Sequence, residues 1–292
     1  MSISNLTYSQ NKPQFIKNKG QFHSNISFKL EHQAGNIYFE KNRIKYDLYE
    51  KDKINAVRHG DTNYRNIYGH RFEGLFIGSN ENVAIIGKEK ISSYQNYFIG
   101  DDTSKWQSFV PIFNELLYVN IYSGIDVKYF SEGGKLKYDV IVHPNTNPEK
   151  FKIKYSGIDS TYIKSGHLIL KTSLGNVIEQ APLAYQIING EKIIIPCIFQ
   201  LKDDVVSFKL KGKYDKSQEL IIDPILIFST FSGSSANNWG ETATYDETGH
   251  LYAGSIAFGT GYIVTLGAYD MFFDGGVGFG STGTDICISK FS

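Results

Sequence analysis

Three observations predict an all-β protein. Apolar residues alternate with polar ones at period two along most of the chain, few segments show a helical apolar stripe, and 20 tyrosines, 20 phenylalanines and 28 glycines favour pleated strands and tight turns. Turn residues recur every ~8–12 positions, the spacing of sandwiches and barrels. The expected architecture is an antiparallel β-sandwich-like N-terminal domain over 1–224, followed over 225–292 by a single β-propeller-type blade.

The first elements follow from alternation. In QFIKNKGQF a short strand precedes an Asn-Lys-Gly turn; Ile26, Phe28 and Leu30 then alternate with Ser27, Lys29 and Glu31, and NIYFEKNRIKYDLYE continues the pattern after Gly35-Asn36. These read as antiparallel neighbours. Glu50 to Gly69 is polar without a period and reads as an exposed excursion. Arg71 to Ile77 and Val83 to Ile86 are further strands. Tyr97-Phe98-Ile99 then runs into the turn Gly100-Asp101-Asp102, with Trp106 close behind.

The centre of the chain is IDVKYFSEGGKLKYDVIVHPNTNPEKFKIKY. Ile125, Val127 and Tyr129 form one strand, and Leu136, Tyr138, Val140 and Val142 a second with its Lys135, Lys137 and Asp139 on the opposite face. Ser131-Glu132-Gly133-Gly134 joins them. A third strand of the meander begins at Phe151, after Pro144 and Asn147-Pro148 interrupt the ladder. Beyond it, His167 to Thr172 turns at Leu174-Gly175-Asn176. Leu183 to Ile188 meets Glu191 to Ile195 across Asn189-Gly190, where both residues tolerate positive φ. Cys197 to Lys202 pairs with Val205 to Leu210 across Asp203-Asp204, and Leu220 to Asp223 ends the regular series at Pro224. Four short strands in the remainder would make one blade.

Composition excludes several roles. Thirty basic and thirty acidic residues leave no global field to attract nucleic acid or an anionic membrane. No apolar run of about 18 residues exists to span a bilayer. Cys197 and Cys287 lie far apart and read as two unpaired, mostly buried thiols. The start, Met1-Ser2-Ile3, has no basic and apolar signal, so either the protein acts inside the cell or an export signal stood ahead of Ser2.

Motifs with chemical meaning are weak. His59 and His70 lack a third ligand and read as solvated or hydrogen-bonded side chains. Asp101 and Asp102 beside Trp106 could suggest a sugar platform or calcium loop, but the plainer reading is a turn with a tryptophan covering the core edge. Gly278 to Gly283 spells GxGxxG without the strand and helix that phosphate binding needs. Gly275 to Gly280 half resembles a calcium nonapeptide but has glycine where aspartate belongs. No nucleophile elbow or zinc-protease helix occurs. Asp126, Asp139 and Asp246 fall beside turns or on polar strand faces, the usual setting of solvated or capping carboxylates. No catalytic, cofactor-binding or metal-ligating residue is assigned, and no cofactor is expected.

The segment Phe228-Ser229-Thr230-Phe231-Ser232-Gly233, the hairpin Ala243 to Gly254 and the strand Asp285 to Phe291 together resemble an SBBP (β-propeller) repeat. The upstream stretches FIKNKGQF, NYFIGDDTSKW, YSGIDVKYFSEGGKLKYDVIV, APLAYQ and LIIDPIL resemble the uncharacterised domain that precedes these repeats in large secreted bacterial proteins. Departures from the repeat are Gly233-Ser234 for paired glycines, His250 for asparagine, and a long loop from Phe258 to Thr284. The resemblance implies export, often by type IX secretion, display at the cell surface and further propeller blades as partners; it implies no activity. The functional expectation is a non-enzymatic, adhesion-like module for a glycan or protein ligand. A structural spacer and a secreted hydrolase are the alternatives, and exposed aromatic loops around Trp106 and Trp239 would favour the first. In a truncated propeller, Leu226 to Phe231 is expected to pair with Asp285 to Phe291, or otherwise with an edge of the N-terminal domain.

Overall fold

The computed structural model describes residues 13–32, 35–50, 53–54, 57, 66–132, 135–224, 226–228, 238–245, 251–257 and 285–291. Contacts divide the chain into two compact units, 1–229 and 230–292.

The first unit begins with β1 (Phe15–Lys17), β2 (Ile26–His32), β3 (Gly35–Glu40), β4 (Arg43–Tyr49) and β5 (Gly69–Phe76), then a long hairpin of β6 (Ala84–Tyr97) and β7 (Gln107–Tyr122). It continues through β8 (Ile125–Glu132), β9 (Lys135–Val142), β10 (Lys152–Ser156), β11 (Ser160–Lys164), β12 (His167–Thr172), β13 (Gly175–Glu179) and β14 (Leu183–Ile188). β15 (Glu191–Lys202), β16 (Val205–Leu210), β17 (Leu220–Asp223) and β18 (Leu226–Phe228) complete it. Fourteen strands form one antiparallel sheet, ordered β1-β2-β3-β4-β5-β10-β16-β15-β14-β17-β9-β8-β7-β6. β7 pairs with β8 from Glu115 to Tyr122 and with β1 at Ile112 and Phe113, so the line of pairings returns to its start. The all-β, sandwich-like class is as the sequence predicts.

The core lies between opposed parts of this sheet. Phe39 of β3 meets Tyr129 of β8 edge-on at 5.3 Å, and Phe76 of β5 meets Tyr118 of β7 at 5.9 Å. The Tyr118 hydroxyl donates to the Glu40 carbonyl across the same gap at 3.0 Å, satisfying a polar group that burial would otherwise penalise. Leu136, Tyr138, Val140 and Val142 share the buried face, as their alternation requires.

Their neighbours Lys137 and Asp139 are also buried, although the sequence places them on an open polar face. Lys128 Nζ lies 3.5 Å from Asp139, Lys137 Nζ lies 3.6 Å from Asp223, and both ammonium groups sit over the Phe130 ring. Burial drives the Asp139 pKa up to about 6, against the opposing pull of Lys128.

The β8–β9 hairpin forms, but the three-stranded meander does not. β10 lies between β5 and β16, and β17 is the second neighbour of β9. A 3-10 turn over Pro148–Lys150 redirects the chain, with Asn147 Oδ1 accepting the Glu149 N–H at 3.0 Å. Two of the expected hairpins form: Asn189, Gly190, Asp203 and Asp204 all have positive φ and connect β14 to β15 to β16. β15 runs unbroken through Pro196 because its ladder with β14 ends there and its ladder with β16 starts at Cys197.

A second sheet, β11-β12-β13-β18, adds Leu168, Leu170 and Val177 to the same core. β18 pairs with β13, Leu226 opposite Glu179 and Phe228 opposite Val177. Contacts therefore group β18, which lies beyond Pro224, with the first unit. The preferred pairing of this segment with Asp285 to Phe291 is not what is seen: the edge of the first unit takes it, because β18 follows β17 after only two residues and reaches that edge first.

In the second unit β19 (Asn238–Tyr245), β20 (Leu251–Ala257) and β21 (Asp285–Phe291) make a three-stranded antiparallel sheet. The expected hairpin forms, with Tyr245 opposite Leu251. Among the described residues this blade has three strands and not four, the strand assigned to its start having joined β13.

Candidate binding face on the long hairpin

The β6–β7 hairpin carries five exposed large apolar side chains towards its end, four of them aromatic. At its end Tyr94, Phe98, Ile99, Trp106 and Phe109 are 51, 57, 76, 42 and 67% exposed. Core burial normally removes such side chains from water, so a group of them left outside marks an interaction surface.

Their presentation is built by the backbone. Between the pairs Gln95–Val110 and Tyr97–Gln107, two steps of β6 oppose three of β7, so β7 carries one extra residue. Phe109 takes the left-handed conformation there, with φ 53°, a region a bulky side chain rarely enters. Asn96 Oδ1 holds it by accepting its backbone N–H at 2.9 Å. The Phe109 ring meets Tyr94 at 4.7 Å.

Four residues along, Phe98 and Trp106 form a second pair, edge to face at 5.6 Å. The Trp106 indole N–H donates to the Gly100 carbonyl at 3.1 Å, which orients the ring without occupying its face. Asp102 caps the 3-10 turn Thr103–Lys105, its Oδ1 accepting the Ser104 N–H at 3.1 Å. The Ser104 and Lys105 side chains hold its carboxyl below the usual carboxylate range.

The turn reading of Asp102 is therefore right, whereas that of Trp106 as a core cover is wrong. Its partner is Phe98, itself exposed, because the hairpin runs past the last core contact of β7. The length of β6 and β7 is what the sequence reading missed. Alternating Val110, Ile112, Leu116 and Tyr118 was the signal for it.

Other candidates disperse. His70 bonds to Ser173 Oγ at 2.9 Å and the Gly157 carbonyl at 2.7 Å, a satisfied histidine between elements. Asp126 caps the β7–β8 turn by accepting the Asn120 N–H at 2.6 Å and pairs with His143 at 3.0 Å. Cys197 is buried, which pushes its thiol up to about 12, while Cys287 is partly covered; both are free. His59, Asp246 and residues 275–283 lie outside the described residues, as does the Trp239 side chain. Among the described residues no group of three or more His, Cys, Asp or Glu could hold a metal. An open groove of about 520 Å³ between the β1–β2 turn and β6 is lined by Lys17, Asn18, Phe22, Ser27 and Ile85, without a carboxylate.

Residues 15–225, from the first residue of β1 to just past β17, match a family described as Domain of unknown function (DUF7948). The chain belongs to this family. No curated protein and no solved structure matches the chain. The DUF7948 match ends just ahead of β18, and the aromatic hairpin lies wholly within it.

Proposed function

We propose that this DUF7948 protein is a non-enzymatic binding module of a secreted or cell-surface bacterial protein, and that the β6–β7 hairpin end is its binding face. The observation that supports this is the pair of exposed aromatic contacts, Tyr94–Phe109 and Phe98–Trp106, one of them presented by a strained backbone. Aromatic side chains supply large contact area at low entropy, which is why exposed ones concentrate at recognition sites. Address and further propeller blades are proposed from the resemblance of residues 225–292 to an SBBP repeat. A hydrolase gains no support from the geometry. Asp139 and Glu179, the carboxyls of raised pKa, are paired with lysine or enclosed by tyrosines, and neither lines the groove.

The full chain and its Phe98→Ala/Trp106→Ala variant should be compared on glycan arrays and on arrays of displayed peptides. Saturable binding lost in the variant, with the unfolding midpoint retained, is the expected result. A chain that binds nothing on either array would be a spacer.

A further inference from the structure

We infer that the hairpin face takes a neutral oligosaccharide laid across both ring pairs. This rests on the binding role proposed above and specifies its ligand. Four half-exposed rings and Ile99 offer on the order of 400–500 Å², taking about 150–250 Å² for each aromatic side chain. A stable protein interface needs roughly 800 Å² per partner, about twice this patch. The face is also open, so it does not enclose a compact small molecule in the manner of a cofactor pocket. An extended chain that touches two separated platforms fits both limits.

The chemistry at the platforms agrees. The face of an aromatic ring carries negative potential and attracts the weakly positive C–H face of a pyranose. The Trp106 N–H is bonded to the Gly100 carbonyl at the ring edge, and the indole stays 42% exposed with Phe98 packed against it. Tyr94 and Phe98 are four residues apart, a reach of at most about 14 Å, so a chain of several sugar units is needed to cover both pairs. Lys105 is neutralised by Asp102 at 3.2 Å, so the pair presents no net positive charge to an anionic polymer. Asp101, exposed beside the second pair, supplies a carboxylate acceptor for sugar hydroxyls.

Phe109 is a contact ring of the first platform, and its backbone sets the bulge that presents it. Asn tolerates the left-handed conformation that Phe109 adopts, so Phe109→Asn removes the ring and keeps the bulge.

The test is calorimetric titration of the full chain with linear di- and hexasaccharides of neutral hexoses and of N-acetylhexosamines, with a polyuronate as the anionic comparison. A hexasaccharide should bind saturably and at least about tenfold more tightly than its disaccharide, because only the longer chain engages both platforms. Phe109→Asn and Trp106→Ala should each weaken the hexasaccharide about tenfold or more and leave the disaccharide preference for the surviving pair. The unfolding midpoint of both variants should stay near that of the parent. No saturable binding of any neutral hexasaccharide overturns the inference, as does binding that both variants retain or that the polyuronate matches. If displayed peptides bind through the same rings while the sugars do not, the ligand class is wrong and the binding role stands. If neither binds, both fall.

Discussion

Phe109 holds φ 53°, and a non-glycine residue in that region costs of order 1–3 kcal/mol. Its ring is exposed and touches Tyr94, so the backbone is strained without a gain in core packing. Phe109→Asn should therefore leave the unfolding free energy level or raise it by up to about 1 kcal/mol in urea titration. A loss of more than about 1 kcal/mol would make the ring part of the packing instead. Tyr138 is the opposite case. It is 4% exposed, and its hydroxyl donates to Glu179 Oε2 at 2.9 Å while the Tyr155 hydroxyl donates to Oε1. Tyr138→Phe should cost about 1–3 kcal/mol because a buried carboxyl oxygen loses its donor. Tyr138→Ala should cost about 3–5 kcal/mol, as for any large buried aromatic. Alternation put Tyr138 inside; the carboxyl that meets it, forty-one residues on, has no local signature.

The small sheet β11-β12-β13-β18 is tied to the large one through that carboxyl. Glu179 on β13 bonds to β9 and β10, and full burial raises its pKa while the two tyrosine hydroxyls oppose the rise. The folded state therefore holds this proton more tightly than the unfolded chain does. Its contribution to stability is complete below the unfolded pKa of about 4.3 and is lost as pH rises through the raised folded value. Asp139 acts in the same direction over a window from about 3.9 in the unfolded chain to about 6 in the fold. Urea midpoints should fall as pH increases across this range. Glu179→Gln and Asp139→Asn should each flatten the fall, and an unchanged slope in both would place the titration elsewhere. At the same scale, Gly35 opens β3 with φ 148°, and an added Cβ would collide with the Asp47 carbonyl oxygen. Gly35→Ala should lower stability by about 2 kcal/mol or more, since β3 and β4 would have to part.

For the whole molecule the decisive strand is β18. Because it completes the β13 edge, a fragment ending at 229 should unfold cooperatively with its own core intact. A fragment ending at 224 should be weaker by on the order of 1–2 kcal/mol, through lost ladder hydrogen bonds on β13. Equal midpoints for the two fragments would show that β18 is not part of the first unit. The long edge of β6 is protected differently: between Lys90 and Tyr94 it carries two more steps than the facing stretch of β7, and Glu89 has φ 52°. Irregularity of this kind blocks regular pairing with another chain, so the full chain should sediment without self-association through that edge.

The sequence by itself determined the class of fold, most strand faces and the tight hairpins, because alternation and the φ preferences of Asn-Gly and Asp-Asp act within a few residues. It also pointed to the loops around Trp106 and Trp239 as those whose exposure would discriminate among roles. Tertiary structure alone decided which strands are neighbours. Thus β10 sits beside β5 and not β9, and β18 closes the first unit, since pairing partners are chosen by burial over long sequence separations. It also decided the candidate site. Whether Trp106 covers a core or stands in water depends on how far β6 and β7 extend beyond the packed sheet, and whether Asp139 is solvated depends on Lys128, Lys137 and Phe130 converging on it. These are distances between elements, which local sequence does not encode.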